Sequence, residues 1–142
     1  DGDLDGLAIV PFDGSALPTQ LVTGADFYMQ PCWHPVQKII AWAEWNHPHM
    51  PWDASRVKLG TLGGGAQINL QSERWIAGGE DKSASYPCFS PDGKWLSYIV
   101  RNGDWDDLVI YDLKSHTHHT VVRGEGFHLR LPEWTQGLRA YA

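Results

Sequence analysis

Short runs in which apolar and polar residues alternate, broken by Gly, Pro, Asn and Asp, recur along the whole chain. That two-residue period belongs to strands, and no helical period extends beyond a turn or two. The clearest run is Pro87-Cys88-Phe89-Ser90-Pro91-Asp92-Gly93-Lys94-Trp95-Leu96-Ser97-Tyr98. Pro87 lacks an N–H and can only start or edge a strand. Pro91-Asp92-Gly93 is a turn with a mechanism: Pro fixes φ, Asp bonds its own backbone, and Gly accepts the positive φ of a chain reversal. Beyond it, Trp95, Ser97 and Ile99 alternate with Leu96, Tyr98 and Val100, a strand rich in aromatic and β-branched residues.

The same reading predicts strands at 7–12, 17–22, 29–33, 38–45, 56–62, 71–76, 86–89, 95–101, 108–113 and 117–122, with two more at 131–134 and 138–142. Asn102-Gly103-Asp104 is a hairpin turn. The Pro-Cys-aromatic unit is itself repeated. Pro31-Cys32-Trp33-His34-Pro35-Val36-Gln37-Lys38 precedes the run at Pro87 by 56 positions, and Pro132-Glu133-Trp134 follows it by 45. A period of roughly 40 to 50 residues built of short strands is the signature of β-propeller blades. The expected fold is therefore all-β: a β-propeller fragment with two complete four-stranded blades (25–77 and 78–123) and a half-blade at each end (1–24 and 124–142). Half-blades leave unpaired N–H and C=O groups, so self-association through open blade edges is expected. The first turn, His34-Pro35-Val36-Gln37, lacks the Ser-Pro-Asp-Gly chemistry and is expected to be looser than the second.

Composition narrows this picture. A chain of 142 residues is one domain's worth. The net charge of −6 and the lack of a Lys/Arg cluster argue against a nucleic-acid partner. No apolar run approaches the roughly 18 residues of a membrane helix. The chain opens on Asp1-Gly2-Asp3 without Met and ends on Tyr141-Ala142 within a strand-like segment, so a fragment of a longer polypeptide is expected. Cys32 and Cys88 occupy equivalent places in two repeats. Such places on adjacent blades are expected to exceed the roughly 7 Å Cα separation a disulfide tolerates, which leaves two small buried thiols and points to a reducing, cytoplasmic compartment. Of Trp33, Trp42, Trp45, Trp52, Trp95, Trp105 and Trp134, most fall at repeat-equivalent strand positions, where core packing is the expectation.

One stretch interrupts the repeat: Asn46-His47-Pro48-His49-Met50-Pro51-Trp52-Asp53. Its prolines make it an ordered loop. With the preceding Trp42-Ala43-Glu44-Trp45 it resembles a loop in the propeller of prolyl-oligopeptidase-type serine peptidases, in the acylaminoacyl-peptidase and dipeptidyl-aminopeptidase branch, where the pattern is close to W-x-x-W-[DN]-H-P-x-M-P-W-[DG]. Thr23 to Tyr28, Ala77 to Asp81, Phe89 to Leu96 and Pro132-Glu133-Trp134 resemble the same family. The resemblance implies a propeller capping an α/β-hydrolase domain that carries a Ser-Asp-His triad. No Gly-x-Ser-x-Gly elbow occurs in these residues, so no catalytic residue transfers to this chain.

The reading that follows is a non-catalytic propeller segment that gates and positions peptide substrates for an α/β-hydrolase domain of the same polypeptide. The alternative is a TolB-like propeller module for protein–protein binding. Substrate or interface contacts are expected from His47, His49, Met50, Trp52 and Asp53, since ordered loops on rigid scaffolds carry function. No cofactor or metal is expected. His116, His118 and His119 read as a solvated hairpin, since no Cys or carboxylate set completes a metal site. Asp104, Asp106 and Asp107 read as a charged hairpin tip, and Gly63-Gly64-Gly65 as a linker without the Lys of a phosphate loop.

Overall fold

A computed structural model gives the fold of residues 5–65, 68–133 and 135–141. The strands follow the alternation and stop where the turn chemistry begins. β1 (Leu7–Ile9) and β2 (Thr19–Val22) form a two-stranded antiparallel sheet. β1 ends earlier than the sequence suggested, because Pro11 offers no N–H and its carbonyl closes a turn with the Gly14 N–H at 3.1 Å.

Two four-stranded meanders follow. The first runs β3 (Phe27–Trp33), β4 (Ile39–Trp45), β5 (Arg56–Gly63), β6 (Asn69–Gly78), each strand pairing antiparallel with the next. The second runs β7 (Ala84–Phe89), β8 (Trp95–Asn102), β9 (Trp105–Asp112), β10 (His118–Arg123) in the same manner. A single helical turn, α1 (Pro51–Ala54), sits in the β4–β5 connection. The β8–β9 hairpin pairs Asn102 with Trp105 and places Gly103 at φ 61°, the positive value wanted at the first central position of a two-residue turn.

Sheet β3–β6 is covered on both faces. Ile40, Trp42 and Leu62 pack with Leu21, Val22 and Tyr28 on the side of the β1–β2 pair. Ala41, Val57 and Ile76 pack with Leu96, Tyr98, Val100 and Val109 of the second sheet on the other. This explains why nearly every residue of β4 is buried, as in strands covered on both faces. Trp42 is fully enclosed, and its Nε1–H donates to the buried Glu44 carboxylate at 2.7 Å. Arg56 Nε, at 2.9 Å, and Lys58 Nζ, at 3.1 Å, complete the charge balance of Glu44.

Four expectations are corrected. The strands expected at 131–134 and 138–142 do not form among the described residues; Trp134 and Ala142 lie outside them. Pro132 has no N–H, Gly137 turns at φ 81°, and the Leu131 carbonyl accepts from the Tyr86 hydroxyl at 3.1 Å instead of from a ladder. The first turn is not loose. His34 is buried, its Nδ1 accepts from the Val36 and Gln37 amides at 3.1 and 2.8 Å, and its Nε2–H donates to the Gly93 carbonyl of the second turn at 2.8 Å. Trp33 and Trp105 are not core residues; they are 52% and 39% exposed. Asp106 and Asp107 are buried rather than at a hairpin tip, because β9 starts at Trp105 and carries both into the sheet.

Candidate functional site

The loop after β4 is tied down by backbone and carboxylate bonds. Asn46 Oδ1 accepts from the Asp26 amide at 3.0 Å, and Asp26 Oδ2 accepts from the His47 amide at 2.9 Å. The His49 amide donates to the Asn46 carbonyl at 3.0 Å. The His47–Pro48 peptide is cis. Pro51 opens α1, where its missing N–H costs nothing, and Asp53 Oδ2 takes the Met50 amide at 3.3 Å. Arg101 Nη1 reaches the Trp52 carbonyl at 3.5 Å from the second sheet.

Held this way, His47, His49 and Met50 line a pocket of about 370 Å³ together with Phe27, Trp45 and Glu133. Phe27 and Trp45 stack with ring centroids 5.3 Å apart. Trp52 lines an adjoining pocket of about 300 Å³, in which Glu133 also takes part. Asp53 lines neither; its carboxylate is spent on the loop's own backbone.

Glu133 is the residue whose part here the sequence did not disclose, although Pro132-Glu133-Trp134 stood out as a repeat. It is 4% exposed, and neither carboxylate oxygen makes a hydrogen bond among the described residues. Its nearest countercharge is Arg130 Nη1, at 3.7 Å from Oε2. Burial raises its pKa above the ordinary carboxylate value, against the smaller pulls of Arg130 and of the Ser85 hydroxyl, which is close by but outside hydrogen-bonding geometry.

Arg130 is committed elsewhere. Its Nε donates to Asp106 Oδ1 at 2.9 Å and its Nη1 to the Ser83 hydroxyl at 2.7 Å. Asp106 also accepts from the amides of Leu129 and Arg130, at 3.2 and 3.4 Å. Burial pushes the Asp106 carboxyl up, but Arg130 and these amides together outweigh it, and the net shift is downward. The result is one carboxylate held charged and one, a few residues from its shared arginine, left short of partners.

Comparison with solved structures adds a fold relationship. The chain is similar to peptidases. A puromycin-hydrolysing peptidase of Mycobacterium tuberculosis superposes with a TM-score of 0.73 at 28% identity, over 84% of this chain and 18% of that one. A puromycin hydrolase superposes with a TM-score of 0.80 at 26% identity, over 94% of this chain and 21% of that one. A mutant puromycin hydrolase complexed with PGG matches at 25% identity over 84% of this chain, with a TM-score of 0.73. The chain thus spans about a fifth of the length of these peptidases. No family model and no curated protein matches it.

The remaining polar clusters sort differently. The three hairpin histidines are each taken up by a hydroxyl: His116 Nδ1 lies 2.8 Å from the Tyr111 hydroxyl, His118 Nδ1 lies 2.7 Å from the Tyr98 hydroxyl, and His119 Nε2 lies 3.0 Å from the Thr117 hydroxyl. Among the described residues no group of three or more His, Cys, Asp or Glu side chains gathers around a common point. Cys32 and Cys88 are free thiols that line one cavity of about 210 Å³ with Tyr141. Burial, reinforced by Cys88, pushes the Cys32 thiol up to about 12. The two cysteines are unbridged, as their repeat positions suggested. Each follows a non-glycine residue in the left-handed region and a proline, Gln30 at φ 55° and Tyr86 at φ 57°, with a register shift in the ladder. No helix among the described residues is long and apolar enough to cross a membrane.

Proposed function

We propose that this chain is a non-catalytic β-propeller segment of a serine peptidase of the prolyl-oligopeptidase type, which gates and positions peptide substrates for an α/β-hydrolase domain of the same polypeptide. The observation that carries this reading is the pocket under the His47–Met50 loop. It joins an aromatic wall, Phe27 and Trp45, to a buried carboxylate, Glu133, that lacks hydrogen-bonded partners among the described residues. Apolar walls with one or two convergent polar groups are the ordinary form of a small-ligand site. A carboxylate beside aromatic faces suits a cationic group, which would supply the hydrogen bonds it lacks and gain a cation–π contact. His47, His49 and Met50 stand exposed along this pocket, and a loop so held on a rigid scaffold can act as its gate. The likeness in fold to puromycin-hydrolysing peptidases and the sequential four-stranded meanders support the same reading.

The test is a chemical-shift titration of the isotope-labelled chain with a tripeptide bearing a free N-terminus and with its N-acetylated form. Shifts centred on Trp45, His47 and Met50 are expected, stronger for the free amine, with the preference lost in E133Q. No turnover of either peptide is expected from this chain alone. Absence of shifts in this pocket would leave the protein-docking alternative standing. Turnover blocked by a serine-reactive inhibitor would overturn the non-catalytic assignment.

A further inference from the structure

A second cavity, of about 610 Å³, lies at the opposite end of the sheets from the loop pocket. β4 defines the two ends: Ile39 at its start lines this cavity, and Trp45 at its finish lines the other. The cavity opens between the first meander and the second. Ile39, Leu59, Leu113 and Trp95 give it an apolar lining, and Arg74, Lys94 and Lys114 supply positive charge against Glu73 and Asp112, which line it too.

Arg74 projects from β6 across the gap. Its Nη1 donates to the Tyr111 hydroxyl at 3.1 Å and stands 2.8 Å from His116 Nδ1, itself 2.8 Å from the Tyr111 hydroxyl. Both donors can share Nδ1 only while that nitrogen keeps its lone pair. His116 is held at φ 60°, a left-handed conformation that is uncommon for a residue with a side chain and is found where surroundings impose it. The guanidinium is thereby steadied through one nitrogen. Among the described residues its hydrogen bonds all run through Nη1, and it makes no ion pair.

The carboxylates nearby are already engaged. Glu73 pairs with Lys58 at 2.7 Å. Asp112 Oδ1 accepts from the Lys114 and Ser115 amides at 2.7 and 3.0 Å. Asp92 pairs with Lys94 at 3.0 Å and takes the Ser90 hydroxyl at 2.7 Å. A fixed guanidinium without a carboxylate, over an apolar cleft, is built for an oxyanion attached to an apolar body, since its fork matches carboxylate and phosphate oxygens two at a time. We propose that the cleft between the two four-stranded sheets binds a small amphipathic oxyanion, a carboxylate or phosphate on an aromatic or aliphatic body, with Arg74 as the reading group and Lys114 as a second positive charge. This proposal is independent of the peptide pocket and of the peptidase reading.

The experiment titrates the isotope-labelled chain with phenylacetate, with phenyl phosphate and with uncharged benzyl alcohol. Saturable one-to-one shifts are expected for residues 72–74 and 111–116 with both anions, and much weaker ones with the alcohol; the tighter anion tells carboxylate from phosphate. R74A is expected to weaken binding about 10-fold, and R74K to recover little of it, because an ammonium cannot fork. K114A, at an exposed position outside the Arg74–Tyr111–His116 contacts, is expected to weaken it about 3-fold with the fold intact, as exposed charges act modestly through solvent. Equal affinity in the wild type, R74A and K114A, or shifts centred on Trp45 and His47, would overturn the proposal. So would the absence of saturable binding at millimolar ligand.

Discussion

Asp106 and Glu133 show how two buried carboxylates near one arginine come to opposite states. Asp106 has a forked guanidinium and two amides; Glu133 has a single distant charge. Their pH dependences oppose each other. The folded pKa of Asp106 is lowered, so its contribution to stability is present above the unfolded value near 3.9 and is lost as pH falls through the folded value. The folded pKa of Glu133 is raised, so its contribution is complete below the unfolded value near 4.3 and is lost as pH rises through the folded one. D106N is expected to lose about 3 kcal/mol at neutral pH by leaving Arg130 buried without its partner. E133Q is expected to flatten the decline on the alkaline side of pH 4 to 5. Urea denaturation across pH 3 to 8 measures both, and a D106N midpoint equal to wild type would contradict the first.

At the scale of the element, the two equivalent turns are coupled through one ring. His34 closes its own turn with Nδ1 and bonds Gly93 of the next repeat with Nε2, while lying edge-on to Phe89 at 5.1 Å. H34A removes all three and is expected to cost about 2 kcal/mol, the sum of a buried polar loss and a small cavity. G93A is expected to be destabilising as well, since Gly93 sits at φ 70° and a methyl there would strike the His34 ring. Thermal unfolding of the two single variants and of the double variant measures the coupling, and strictly additive losses would show the turns to be independent. What could be read beforehand follows the same division. The second turn was legible because Ser90, Asp92 and Gly93 satisfy it locally: Asp92 Oδ1 takes the Lys94 amide and Ser90 Oγ takes the Trp95 amide, at 3.1 and 3.0 Å. The first turn reads as loose in the sequence because the partner of His34 lies 59 positions away. The same holds for the candidate site. The His47–Met50 loop announces itself by its prolines, whereas Glu133 acquires its place only when the chain after β10 folds back to it. Asp106 looked like surface because its arginine is distant in sequence.

For the whole molecule, the sheets are open. β6 and β10 each pair on one side, and all six residues of β10 are exposed, with Val121 at 55%. A register shift near Val121 and two along the β5–β6 ladder bend both edges, as bulges do, and β6, ten residues long, is the longer unpaired border. We propose that the isolated chain self-associates through these borders. Sedimentation equilibrium is expected to show a mass that rises with concentration; a monomer with cooperative unfolding at every concentration would contradict it.

Each meander takes its strands in the order in which they occur along the chain, with no crossover. A ribosome delivering the N-terminus first therefore completes every ladder as soon as its last strand emerges. No strand waits for a distant mate, and only the side-chain layer between neighbouring sheets must be sealed afterwards. Synthesis can thus proceed sheet by sheet, each finished layer serving as the wall on which the next condenses.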